Sequence, residues 1–345
     1  MNSLFLEGIE KLVLREVPKP TVKEGCLLVR VRSCGICGSD IRFFKYGDRR
    51  IKYPRIIGHE IAGEVVEIGK NVKGFVVGDR IAMANEIPCK TCYTCNKGYE
   101  NLCDKVVSIG SNLDGGLSEY ILLDKQVVKD GPINRIPDGI SFDEAALAEP
   151  LGCVINGLEF VHLSKGDSLL VMGAGPIGCM MVNMARIMGA DRIILADISD
   201  RRLEGAKEFG ADYYINSSKQ DLLEEIKKIT DGIMVDVAVS ACSSIDAHEQ
   251  ILNTVGKGGR INLFGGIKKD SRKLCIDSNI LHYKQIYIGG SFSQTKAQHQ
   301  KALEIISKGK IKTEKLITHR FGLGEIEKAL AVLINQEGLK VIINP

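Results

Sequence analysis

Four cysteines, Cys89, Cys92, Cys95 and Cys103, fall within the sixteen-residue stretch PCKTCYTCNKGYENLC of this chain. The two-residue gaps of CxxCxxCx7C let a loop fold back so that neighbouring thiolates reach one ion, and the distal cysteine completes a tetrahedron. Asn96 and Gly98 supply turn chemistry between them. A loop this polar and lysine-rich is a poor place to bury four thiols as core. The N-terminal twenty residues interleave charges with apolar side chains and do not form a secretory leader, so a reducing, cytoplasmic setting is expected. There cysteines serve as thiols or metal ligands rather than disulfides, and eleven of them is in any case an odd number. The expectation is a closed structural zinc site that fixes a loop and does no chemistry.

A second pattern reads SLLVMGAGPIGCMMVNMARIMGADRIILADIS from Ser168. An apolar strand, Ser168 to Met172, runs into Gly173, Gly175, Pro176, Ile177 and Gly178, then a helix to about Met188, then a second strand ending at Asp197. The acidic residue stands nineteen positions after the last glycine, the context that dinucleotide binding requires. The glycines allow a tight turn and close approach of a pyrophosphate to the free N–H groups of a helix start. Asp197 would accept hydrogen bonds from the adenosine ribose hydroxyls and repel a 2′-phosphate, which favours NAD over NADP. Arg201 and Arg202 pull the other way, since they could accommodate a phosphate, although such arginines more often begin a solvated helix; Arg202 stays among the candidate cofactor residues. VDVAVSAC (Val235 to Cys242) and GGRINLFGG (Gly258 to Gly266) read as further buried strands of the same parallel sheet.

A third constellation joins CGICGSD (Cys34 to Asp40), GHEIAGEVVEIGKNV (Gly58 to Val72) and AEPLGC (Ala148 to Cys153). With these motifs the chain resembles, from end to end, the zinc-containing medium-chain dehydrogenase/reductases, and most closely their polyol dehydrogenase branch, typified by sorbitol or L-iditol 2-dehydrogenase. The segment from Gly58 matches the family pattern GHExxGx5Gx2V at every position. The resemblance implies that Cys37, His59 and Glu149 hold a catalytic zinc, in agreement with the three N, S or O ligands and one open position that such a site needs. Glu60 follows His59 directly, and in polyol dehydrogenases this glutamate ligates or exchanges with the Glu149 position, so the two carboxylates are alternates. By the same resemblance Asp40 holds the His59 ring in its ligating tautomer, and Ser39 is the hydroxyl that passes the substrate proton outward. Cys34 and Cys153 read as buried thiols beside the ligands, and Ser141 with Glu144 makes a capping box for the helix that carries AEPLGC.

At 345 residues the chain exceeds the usual size of one core, so two domains are expected. With 44% hydrophobic and 26% charged residues and a net charge of +3 it reads as an ordinary soluble chain, not a nucleic-acid binder. No apolar run approaches the roughly 20 residues that span a bilayer. The fold class expected is α/β: a GroES-like, β-rich, partly open barrel over residues 1–153 and 289–345 carrying both zinc sites, and a doubly wound Rossmann domain over 154–288. The amphipathic segments HQKALEIISKGKI and GEIEKALAVLINQEG and the last strand, KVIINP, return by resemblance to the catalytic domain. The active site is then expected in the cleft between domains, and the family implies a homotetramer or homodimer.

The mechanism implied is oxidation of a secondary alcohol, with two zinc ions per chain, one catalytic, and NAD as coenzyme. The catalytic ion lowers the pKa of the alcohol, and hydride passes to the nicotinamide. A polyol or sugar alcohol giving a ketose is the favoured substrate; a sugar or polyol phosphate, or another secondary alcohol such as L-threonine, is the alternative. A non-catalytic nucleotide-binding role is disfavoured because the ligands and the glycines are retained. Where many relatives have a histidine three residues after the serine, this chain has Arg42, which cannot accept a proton. Arg42 opens the basic run RFFKYGDRRIKYPR, which is either a solvated face or, through Arg42 with Lys45 or Arg49, a binding place for an anionic group on the substrate. Ser293 also stands after Phe292 in GSFSQT, where sorbitol dehydrogenases commonly show an arginine.

Overall fold

The computed structural model describes residues 1–267 and 271–345. The fold is α/β, and the chain divides into two units. The first comprises Met1–Cys153 with Ser293–Gly309 and Thr313–Pro345, the second Val154–Phe292 with Lys310–Lys312.

The hub of the first unit is the strand Leu27–Ile36, whose apolar first half is buried and whose last residues, Ser33 to Ile36, are buried as well. It pairs antiparallel with Glu60–Ile68, Tyr120–Leu123 and Lys340–Ile343 in a seven-stranded sheet. Arg80–Met83 and Ile133–Arg135 extend the sheet beyond Glu60–Ile68, and Ile317–Phe321 extends it beyond Lys340–Ile343. The inward faces supply one core that includes Val29, Val31, Ile61, Val65, Met83 and Ile343. Each such fully buried aliphatic side chain contributes about 1.5–3 kcal/mol. A smaller three-stranded sheet is built from Asn2–Gly8, Lys11–Glu16 and Arg55–Ile56.

Register is what brings chemistry together here. Gly35 stands opposite Glu60 on one side and Ile342 on the other, and Ile36 stands opposite Val341. The hub strand ends one residue before Cys37, where the backbone is still extended, and the helix Gly38–Tyr46 begins. Asp40 reaches back to accept the Cys37 N–H at 2.9 Å, which satisfies a donor at the helix start and fixes Cys37 at the strand-to-helix corner.

The expected capping box at Ser141 is present: Ser141 Oγ accepts the Glu144 N–H at 3.2 Å and Glu144 Oε2 accepts the Ser141 N–H at 2.8 Å. It caps a shorter helix than expected, Phe142–Ala146, and the chain restarts as Ala148–Phe160. Pro150 explains the break, because it has no N–H for the Ala146 carbonyl and its ring crowds that turn. Glu149 thereby falls in the first turn of the second helix.

The second unit is a six-stranded sheet in the order Tyr213–Asn216, Arg192–Asp197, Ser168–Met172, Val235–Ser240, Val255–Leu263 and Tyr287–Gly289, every neighbouring pair parallel. The order reverses between Ser168–Met172 and Val235–Ser240, the switch point at which such sheets bind ligands. The strand expected from Gly258 starts earlier, at Val255. Gly258 has a positive φ of 73°, and the ladder shifts register between Val235 and Val237, so the glycines sit in an irregularity inside the strand and do not begin it. Among the described residues no helix is long and apolar enough to cross a membrane.

Candidate active site

Cys37, His59 and Glu60 each offer a ligand atom, and those atoms lie within 4.8 Å of one another. Asp40 Oδ1 lies 3.4 Å from His59 Nδ1 and also accepts the Gly58 N–H at 3.2 Å. The carboxylate thus engages one ring nitrogen and leaves Nε2 for a metal, the arrangement that fixes tautomer and ring orientation. Burial alone would push the His59 imidazole down, but the Asp40 charge and hydrogen bond outweigh it and hold it well above the usual range. Burial likewise works against ionised Asp40, yet His59 keeps its carboxyl lowered. Ser39 Oγ stands 3.5 Å from His59 Nε2.

Glu60 is fully buried. Its Oε1 accepts from Lys340 Nζ at 2.5 Å, while Oε2 is buried with no hydrogen-bond partner among the described residues. The carboxylate lies over Gly35, where an added Cβ would come within 1.9 Å of Oε2. An orphaned carboxylate oxygen costs free energy unless something takes it up, and Glu60 shares its cluster with the Cys37 thiol and the His59 imidazole. This set suits zinc, which accepts S, N and O ligands together.

Glu149 does not join that cluster. It is buried, and its backbone O and Oε1 accept from Gln294 Nε2 at 2.6 and 3.1 Å. Burial, reinforced by the Glu60 charge against the pull of His59, raises its carboxyl to about 7. Cys34 is buried; Cys153, expected to be so, is only partly buried, with its sulfur 3.7 Å from Glu149 Oε1. Lys340 and Gln294 lie in KVIINP and GSFSQT, segments the sequence draws attention to, but neither residue is itself singled out there.

Cys89, Cys92, Cys95 and Cys103 form a second cluster. The Cys92 sulfur lies 3.4 Å from that of Cys95 and 3.8 Å from that of Cys103. A tetrahedron with Zn–S of about 2.3 Å has edges of about 3.8 Å; these two separations are near that, and all four ligand atoms lie within 4.8 Å of one another. The Cys103 sulfur accepts the backbone N–H groups of Cys89 and Lys105 at 3.2 and 3.3 Å. The Thr94 hydroxyl helps lower the Cys92 thiol to about 6, so a thiolate is available at neutral pH.

In the second unit Gly173 follows Ser168–Met172, and Gly175 caps the helix Pro176–Met188 with Pro176 at its first position. Gly178 packs so closely on the loop that an added Cβ would meet Gly173 O at 1.8 Å. Ile177 is half-buried in the first turn. Asp197 ends its strand and ties the loop down: Oδ2 accepts the Ala174 N–H at 2.7 Å and Oδ1 the Ser199 N–H at 2.9 Å. Arg202 Nη1 lies 3.9 Å from Asp197 Oδ2. In the first unit Arg42 is exposed on the helix after Cys37, its guanidinium 5.7 Å from the centre of the Phe43 ring.

Residues 23–133 match the alcohol dehydrogenase GroES-like domain, and residues 176–308 match the zinc-binding dehydrogenase domain. The chain is 32% identical to the sorbitol dehydrogenase of Bacillus subtilis (strain 168), over 100% of this chain and 97% of that one. It is 30% identical to the L-threonine 3-dehydrogenase of Photorhabdus laumondii, over 98% of each. Among solved structures, a putative zinc-binding dehydrogenase from Sinorhizobium meliloti 1021, bound to NADP, superposes with a TM-score of 0.92 at 28% identity, over 100% of this chain and 99% of that one.

Proposed function

Because the chain belongs to the zinc-type medium-chain dehydrogenase/reductase family, we propose that it is a zinc- and NAD-dependent dehydrogenase that oxidises a secondary alcohol of a polyol or sugar alcohol to a ketose. The observation that carries this reading is the convergence of Cys37, His59 and Glu60 with one buried carboxylate oxygen left unpartnered. These three would hold the catalytic zinc and the four-cysteine cluster a structural one, two per chain. Bound there, the catalytic zinc supplies Lewis acidity toward an alcohol oxygen, and the coenzyme accepts the hydride.

The chain's own groups prepare that chemistry. Asp40 orients His59, and Lys340 balances the charge of Glu60 in a site where an unpaired carboxylate would be costly. Ser39, beside His59, receives the substrate proton. Arg42 cannot take that proton further, so beyond Ser39 it passes to water or to a different residue. Asp197 disfavours a 2′-phosphate and supports NAD, although the Sinorhizobium meliloti structure holds NADP.

A second reading rests on Arg42, exposed five residues beyond Cys37. Its guanidinium suits a phosphate or carboxylate on the substrate, which would shift preference to a polyol phosphate. The test is NADH formation across polyols, their phosphates, L-threonine and simple alcohols. Highest efficiency on a neutral polyol supports the first reading, and a phosphate preference lost in Arg42→Ala supports the second. Turnover confined to L-threonine or to simple alcohols refutes both.

A further inference from the structure

We propose that Gln294 is a positioning residue that holds the Glu149 carboxylate off the Cys37, His59 and Glu60 set, so that Glu60 is the resident carboxylate ligand. This rests on the zinc site proposed above. Gln294 is 3% exposed, and its Nε2 donates to Glu149 O at 2.6 Å and Glu149 Oε1 at 3.1 Å, with the Cys153 sulfur at 3.6 Å. The reverse amide orientation would set its oxygen against two acceptors, so the hydrogen-bond network fixes the assignment.

Three features of the surroundings are built around this amide. Its Oε1 is buried without a hydrogen-bond partner among the described residues, a cost the fold bears while the nitrogen is kept on Glu149. The helix Ala148–Phe160 leaves room for it at Gly152, where an added Cβ would come within 1.6 Å of Gln294 Oε1. The backbone is fixed on both sides. Ser293, just before, has a left-handed φ of 52°, which is unfavourable for a non-glycine residue. Thr295, just after, caps the helix Lys296–Ser307 through a reciprocal pair with Gln298, at 3.3 and 2.9 Å.

The two carboxylates are therefore tethered in parallel ways with different results. Lys340 holds Glu60 Oε1 while Glu60 stays within the cluster with Cys37 and His59, whereas Gln294 holds Glu149 Oε1 and Glu149 lies outside that cluster. The other described donor on Glu149 Oε1 is the Cys153 thiol at 3.7 Å, a weak one.

The test replaces the catalytic zinc with Co(II), whose visible bands weaken and shift as coordination number rises, and compares the whole protein with Gln294→Leu and Gly152→Ala. Both variants are expected to show weakened, shifted bands, because Glu149 joins the metal in one and the amide is displaced in the other. Adding Glu149→Gln to Gln294→Leu is expected to restore the starting spectrum, which a merely structural role would not do. Starting-protein spectra in both single variants, or a changed spectrum that persists in the double variant, would overturn the proposal. If the unmodified protein shows no thiolate-to-cobalt band that depends on Cys37, the zinc site itself falls and this inference with it.

Discussion

Lys340→Met should weaken the first unit strongly when the catalytic metal is removed and only slightly when it is present. Lys340 is 3% exposed and Glu60 is fully buried; the ammonium donates to Glu60 Oε1 at 2.5 Å and to Ile36 O at 3.3 Å. Burial would push the Lys340 ammonium down, but the Glu60 charge holds it raised, so Lys340 keeps its charge. Methionine keeps the length and the apolar stem. It also leaves Glu60 as a buried charge without compensation, a loss of about 3–5 kcal/mol. A divalent ion on Glu60 Oε2 would itself compensate that charge, so in loaded protein the loss should fall to about 1 kcal/mol, the net worth of a typical hydrogen bond. The chain has no tryptophan, so urea unfolding is best followed by circular dichroism, with and without a chelator. At slopes of about 2–3 kcal/mol per molar urea, a 4 kcal/mol loss lowers the midpoint by roughly 1.3–2 M. An equal drop in loaded and chelator-treated protein, or a drop below about 0.3 M after chelation, would refute the reasoning.

His299 gives a pH-dependent expectation. It is fully buried, its Nδ1 accepts from Asn134 Nδ2 at 2.8 Å, and burial, aided by Lys296, pushes its pKa down to about 3. Because that lies below the unfolded value of about 6.5, the unfolded chain takes up the proton first; the stability is complete above that value and is lost as pH falls toward 3. Going from pH 8 to pH 5 should cost about 2 kcal/mol through this residue. His299→Gln should remove that share of the shift in urea midpoint, and an unchanged pH dependence would contradict it. Asp197 should favour NAD over NADP by about ten-fold or more, since one unfavourable charge contact is worth at least about 1.4 kcal/mol. In Asp197→Ser the ratio of kcat/KM values should narrow; an unchanged ratio would show that another group selects the coenzyme.

Some of this architecture is written locally. The strand, glycine turn and helix at Ser168–Met188 depend on near neighbours, and so do the cysteine spacing and the Ser141–Glu144 box, so each could be read before the fold was known. Other parts depend on pairing over long distances. Lys340 meets Glu60 only because Lys340–Ile343 and Glu60–Ile68 flank the same strand, Leu27–Ile36. Gln294 meets Glu149 across 145 positions of sequence. Neither residue has a local pattern that distinguishes it from a surface lysine or glutamine. The alternation between Glu60 and Glu149 is likewise unreadable from spacing, because the groups that hold them, Lys340 and Gln294, come from distant parts of the chain. Pro150 could have been read as a helix break, but the capping box upstream suggested one continuous helix.

The most direct test of the two-metal site is zinc analysis of the purified unmodified protein beside Cys37→Ala and Cys95→Ser, with NADH formation measured on the same samples. The two ligand clusters lead to an expectation of about two zinc ions per chain in the unmodified protein. Cys37→Ala should keep about one zinc, remain folded and lose turnover, whereas Cys95→Ser should mainly lose stability. Two zinc ions per chain and full turnover in Cys37→Ala would contradict the assignment.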